Sequence, residues 1–206
     1  MKNLGKLNLV CGSIQPPSTS GAPIRPRILP ITLLSLDYVA IPSPLDPSSL
    51  PLVRSLHLSG QTRQPVRLLL PQLASLQVVS GSVADLGILI QQSTSITSLS
   101  IREGHMVHLD DASKTVVKQR IVEFRLLLMG YDHSGDSTLT TIIAGSKVMK
   151  KLILDGVNLR GEDQAKHQVL ESIKIVKEAC KKKKIELWKE NFKVGNGKVN
   201  LEEPVV

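Results

Sequence analysis

The sequence predicts an α/β fold made by repetition: short parallel strands side by side in one sheet, each followed by a loop or helix that returns the chain to start the next. Three observations predict it. An L-x-L pair recurs along the chain at a near-constant interval. Hydrophobic residues make up 41% of the 206 residues and aromatics only 2%, so the interior has to be filled by Leu, Ile and Val. The segments between the pairs alternate with them throughout, first rich in proline and later patterned as helices. A strand of this length cannot bury its apolar face alone, so each unit needs neighbours of the same kind.

The clearest unit is Met149 to Leu159, which reads L-x-x-L-x-L-x-x-x-x-L. Leu152 and Leu154 stand two residues apart because a strand sends alternate side chains to opposite faces, and Leu159 follows once the chain has turned away. Aligned on the first member of the pair, the pattern recurs at Leu7, Leu34, Leu56, Leu76, Leu99, Phe124, Leu152 and Ile185. The intervals are 27, 22, 20, 23, 25, 28 and 33 residues. The second inward position is Leu9, Leu36, Leu58, Val78, Ile101, Leu126, Leu154 and Leu187, apolar every time. Three residues before the pair stand Leu4, Ile31, Val53, Leu73, Ile96, Ile121 and Met149, with only Lys182 failing. Seven residues after it stand Ile14, Ile41, Val83, Met106, Tyr131, Leu159 and Phe192, with only Arg63 failing.

This apolar skeleton resembles that of leucine-rich repeat proteins. The resemblance implies a solenoid with a parallel β-sheet on its concave side and mixed loops and helices on its convex side. About eight irregular repeats would occupy residues 1–194, and residues 195–206 would form a C-terminal tail. The family carries Asn or Cys five residues after the first Leu, where the side chain bonds to the turning backbone. Here that position holds Gly12, Val39, Gln61, Gly81, Gly104, Met129, Val157 and Glu190. There is no Asn ladder, and the three glycines predict tight turns with positive φ in its place.

The connecting segments follow from their composition. Eleven of the twelve prolines lie at or before Pro71, which excludes long return helices there and predicts loops. Helices are expected over Ser82 to Gln92, Asp110 to Gln119, Ser137 to Ser146 and Asp163 to Lys182. Asp110-Asp111 and Asp136-Ser137 supply N-caps. The last helix places Val169, Ile173, Val176 and Cys180 on one buried face. Gly195-Asn196-Gly197 reads as a turn. Leu4 and Leu7 already belong to a repeat, so the expectation is an uncapped start, as in the C-terminal part of a longer array.

Charge and cysteine usage bound the class of function. The net charge is +8, and four of those charges sit in Lys181 to Lys184. Such a surplus favours anionic partners without selecting one, and nucleic acid is the weaker reading because only Trp188 accompanies the basic run. Cys11 and Cys180 lie near opposite ends, where a solenoid would keep them apart, which points to a reducing compartment. No apolar run approaches the length of a membrane span. A cytoplasmic protein is expected, with Lys181 to Lys184 a candidate nuclear signal weighed against simple stabilisation of a helix C-terminus.

No segment carries a recognisable catalytic or metal-binding pattern. Gly104 to Asp111 crowds His105 and His108 beside Asp110 and Asp111, but matches no zinc spacing and has Met106 at an inward position. Tyr131 to Ser137 holds Ser, His and Asp in one polar loop, whereas a triad assembles such groups from separate elements. Ala144-Gly145-Ser146-Lys147 reverses the order of a phosphate loop, and Gly145 reads as a helix stop. No catalytic residue, metal or cofactor is therefore assigned.

The concave strand positions are Asn8, Ser35, His57, Gln77, Ser100, Arg125, Ile153 and Glu186, then Val10, Asp37, Ser59, Val79, Arg102, Leu127, Asp155 and Trp188. The candidate partner-binding residues are Arg102, Arg125, Leu127, Ile153, Asp155 and Trp188, because Arg and Trp most often anchor interfaces. Arg102 and Arg125 together would address an acidic or phosphorylated peptide. Irregular repeats without an Asn ladder resemble the degenerate arrays of fungal F-box proteins, in which the array selects a substrate for ubiquitylation. No F-box pattern occurs in this sequence. The resemblance implies a non-catalytic protein-interaction module, the substrate-recognition part of such an adaptor, with a free-standing scaffold as the alternative and an enzyme on the same scaffold behind both.

Overall fold

A computed structural model describes residues 5–13, 31–45, 50–59, 66–68, 70–79, 86–128, 136–156, 163–191, 193–194 and 197–198. The chain divides into two compact units, Met1–Ile96 and Thr97–Val206. Both are α/β with parallel strands, as the repeat pattern predicts.

In the first unit β1 (Lys6–Ser13), β2 (Leu33–Leu45), β3 (Ser55–Ser59) and β5 (Ser75–Val78) lie side by side in that order, all parallel. Leu7, Leu34, Leu56 and Leu76 share one register row, and Leu9, Leu36, Leu58 and Val78 the next. In β2, β3 and β5 these residues are buried. On β1, Leu7 and Leu9 are only half-buried, having a neighbouring strand on one side alone. Ile31, Val53, Leu73 and Ile96, three residues before the pair, are all at most 1% exposed. Helix α1 (Leu86–Gln92) buries Leu86, Leu89 and Ile90.

The proline-rich connection departs from the expected loop. β2 runs on through Pro42 and Pro44, and its far half pairs with β4 (Val66–Leu68) through Ile41 with Val66 and Leu45 with Leu68. Proline is compatible with extended backbone where no ladder N–H is required of it.

Neighbouring strands are stitched together just ahead of their inward pairs. Two residues before the inward pairs of β1, β2 and β3, one carbonyl accepts two N–H groups of the next repeat. Gly5 O serves Thr32 and Leu33, Thr32 O serves Arg54 and Ser55, and Arg54 O serves Ala74 and Ser75, at 2.8–3.2 Å. Side chains reinforce the same side of the strand. Gln72 Nε2 donates to Leu50 O at 2.9 Å, and Thr94 Oγ1 donates to Pro71 O at 3.1 Å. The polar ladder thus precedes the strand, where an Asn column placed after it could not reveal it.

In the second unit β6 (Ser98–Arg102), β7 (Glu123–Leu127), β8 (Lys151–Asp155) and β9 (Glu186–Glu190) are parallel in that order. A 3-10 helix (Glu103–His108), α2 (Asp111–Arg120), α3 (Asp136–Gly145) and α4 (Asp163–Lys183) connect them. Asp110 caps α2 by accepting the Ser113 N–H at 2.8 Å, as its sequence position predicts. The core combines the inward strand rows with Val117, Leu139, Ile142, Ile143, Ile173, Val176 and Cys180 from the helices. β10 (Lys193–Val194) and β11 (Gly197–Lys198) pair antiparallel, and residues 195–196 of the expected turn lie outside the described residues.

The last repeat corrects the sequence alignment by two residues. Leu152 pairs with Leu187, and Leu154 pairs with Lys189, so the inward pair is Leu187 and Lys189. Ile185 is buried for another reason. Lys184 adopts φ 57° and closes α4 by donating to Lys181 O at 3.2 Å, and Ile185 N donates to Cys180 O at 3.0 Å. A left-handed cap of this kind draws the next apolar residue back onto the helix, and that residue is Ile185.

The glycine expectations are corrected as well. Among the described glycines, positive φ occurs at Gly156 (84°), one residue before the position examined for Asn, and not at Gly104, which lies in the 3-10 helix. Gly145 ends α3 without positive φ; a Cβ there would stand 2.8 Å from Lys118 Cδ, so the residue admits a side chain from α2. Leu4, Ile14, Gln61, Arg63, Gly81, Val83, Met129, Tyr131, Val157, Leu159 and Phe192 lie outside the described residues.

Candidate functional site

Opposite the core rows, the second unit presents three outward rows. They are Ser98, Glu123, Lys151 and Glu186; Ser100, Arg125, Ile153 and Trp188; and Arg102, Leu127, Asp155 and Glu190. The register therefore unites all six sequence-predicted residues on one face, in two rows. It moves Trp188 out of the row of Arg102 and into that of Arg125, because the last repeat is shifted.

Arg102 and Arg125 do not act as a pair of free cations. Arg125 Nη1 donates to Asp155 Oδ2 at 2.8 Å and to Glu190 Oε2 at 2.6 Å. Asp155 is held from its other oxygen by Asn191 Nδ2 at 2.7 Å, and Asn191 takes φ 56° to reach it. The Gly156 N–H closes the same corner on Glu190 O at 3.0 Å. Burial opposes the charge on Arg125, but the hydrogen bonds to Glu190 and Asp155 outweigh it and hold the pKa above the usual arginine value. Across the three rows, Arg102, Arg125 and Lys151 face Glu123, Asp155, Glu186 and Glu190, so the face is a mosaic and not a basic patch.

Ile153 also departs from expectation: it is fully buried although it lies in an outward row. Arg125 stands on β7 and reaches Glu190 on β9, so its side chain crosses β8, to which Ile153 belongs. On the other side Lys151 lies over the Trp188 ring, its Nζ 4.6 Å from the centroid. Trp188 Nε1 donates to Glu186 Oε2 at 3.3 Å. Two bridges thus roof Ile153, one ionic and one cation–π, the latter contributing about 0.5–1 kcal/mol where water has access. Glu190, Asn191 and Lys151 are the members that the sequence reading missed. The alternation Ile185, Leu187, Lys189 allows two registers of the last strand, two residues apart, and only the helix cap decides between them.

The outward rows of the first unit are Asn8, Ser35, His57 and Gln77, followed by Val10, Asp37 and Ser59. Ser59 Oγ donates to Asp37 Oδ1 at 2.8 Å. His57 Nε2 is buried without a partner among the described residues. Burial, and then the nearby Lys6, lower its pKa below the usual value of 6.5 against the opposing pull of Asp37.

The weaker sequence candidates resolve into structure. In Gly104 to Asp111, His105 and Met106 are buried, His108 is exposed and Asp110 is the helix cap. Among the described residues no group of three or more His, Cys, Asp and Glu is placed to hold a metal ion. Ser146 Oγ accepts the Met149 N–H at 3.1 Å, a turn and not a phosphate cradle. Residues 131–135 lie outside the described residues. No described helix is long and apolar enough to cross a membrane. The chain matches no protein-family model, no curated protein and no solved structure.

Proposed function

We propose that the chain is a non-catalytic protein-interaction module and that the outward rows of the second unit receive the partner. The observation that carries this is the ordered state of the surface: Arg125 is fixed by Asp155 and Glu190, and Trp188 lies between Lys151 and Glu186. Side chains already held in place lose little rotamer freedom on association, and Trp and Arg are among the side chains that most often anchor interfaces. Because Arg125 is neutralised from within, this face favours a partner of mixed charge over a purely acidic segment. The apolar skeleton's resemblance to leucine-rich arrays supports the solenoid reading, and the further likeness to arrays joined to F-box domains supports a role in substrate selection by an adaptor.

A photo-crosslinking residue placed at Trp188 tests the reading against one placed at the exposed Ile88 of the first unit. Position 188 should capture a discrete polypeptide from lysate that position 88 does not. Equal capture at the two positions contradicts the assignment.

A further inference from the structure

A groove of about 470 Å³ runs between α3 and α4 on the helical side of the second unit. Its apolar lining is Ala144 of α3 with Ile175 and Ala179 of α4. Ile175 is 57% exposed, an unusual state for a large aliphatic side chain in the middle of a helix. The α4 wall runs from Glu171 through Lys174, Ile175, Glu178 and Ala179 to Lys182 and Lys183. That i, i+3, i+4 stripe extends from Glu171 to Lys183, about 18 Å of helix. Small residues on both walls let a third helix approach closely.

The charges along the stripe are unequal. At the N-terminal end Lys174 is engaged by Glu171 at 3.6 Å. At the other end Lys181, Lys182, Lys183 and Lys184 are all exposed, and among the described residues none is paired with a carboxylate. The groove is thus apolar in its middle and cationic at one end. Glu171 and Glu178 on the same wall repel an extended polyanion, so nucleic acid and an anionic bilayer fit it poorly.

We infer that this groove docks an acidic amphipathic helix of a partner protein. Apolar side chains at i, i+3 and i+4 would cover Ile175, Ala144 and Ala179, and Asp or Glu at one end would meet Lys182 and Lys183, a helix-in-groove mode of recognition. The inference does not depend on the reading of the outward rows. The acidic partner that the sequence assigns to Arg102 and Arg125 finds its unneutralised lysines here instead.

The test is a displayed library of peptides of about four helical turns, panned on the folded chain with Ile175→Asp as counter-selection. Ile175 is exposed, so the substitution leaves the core intact, and an unchanged thermal melt verifies this. Enriched peptides should carry an i, i+3, i+4 apolar stripe with acidic residues toward one end. Their binding should fall roughly tenfold or more with Lys182→Glu/Lys183→Glu, and should not change with Trp188→Ala. Peptides without the acidic end, or binding indifferent to the lysine pair, overturn the proposal. So does a chain that yields no such peptide but binds duplex DNA or phosphatidylserine vesicles, or one whose groove is closed by an Ile175-dependent dimer in sedimentation.

Discussion

Arg125 Nη1 lies 2.6 Å from Glu190 Oε2 although β8 separates their strands. Neighbouring parallel strands stand about 4.8 Å apart, so the contact spans two such intervals and needs nearly the full length of an arginine side chain. Both bonds leave the one Nη1 nitrogen, whose two N–H groups are held in the guanidinium plane, whereas a lysine would bring a more strongly hydrated ammonium on a shorter stem. The bridge joins three repeats on the outward face, and it removes from solution the cation that the sequence places in the partner site.

Replacing Leu154 by Asp is expected to unfold the second unit. Leu154 is 2% exposed in the row of Ile101 and Leu126. An unpaired carboxylate there adds desolvation to the lost apolar burial, a penalty of about 3 kcal/mol or more against a typical domain stability of about 5–15 kcal/mol. A urea midpoint equal to that of the unaltered chain would remove the parallel repeat from consideration.

The first unit should lose stability on mild acidification through His57. Its folded pKa lies below 6.5, so below that pH the unfolded chain takes up a proton that the folded chain declines. The contribution is complete above 6.5 and is lost as the pH falls through the lower folded value. Denaturation of His57→Gln should be flatter than that of the parent between about pH 7 and pH 5. Parallel curves for the two proteins would show that the ring is not held neutral by the fold.

Cys180 should resist alkylation until the second unit opens. It is fully buried in α4, and burial pushes its thiol up to about 11. At pH 8 that leaves about one thiolate in a thousand even before access is considered. Modification of the Cys180 peptide, followed by mass spectrometry across a urea series, should coincide with the loss of helical circular dichroism. Rapid modification in native buffer would place the residue outside the core.

The period-two alternation made the parallel strands legible, and seven of the eight inward pairs stand where the L-x-L pattern puts them. The Asp110 cap and the extents of α2, α3 and α4 were legible for the same reason, since periodicity and caps are local signals. The outward face was less so. Its organisation depends on contacts such as Arg125 with Glu190, 65 positions apart, and on a cap at Lys184 that moves the last strand by two residues. The polar stitching at Gln72 and Thr94 was missed because it precedes each strand, and serine, threonine and glutamine there look like any turn.

A double-mutant cycle between Arg125 and Glu190 tests the register of β7, β8 and β9 most directly. Arg125→Met, Glu190→Gln and the double variant would each be unfolded in urea beside the parent. About a quarter of each side chain remains exposed, so a coupling of about 1–2 kcal/mol is expected, above an exposed pair and below a buried one. Additivity within about 0.3 kcal/mol would mean that Arg125 does not cross β8, and would contradict the register on which the outward face rests.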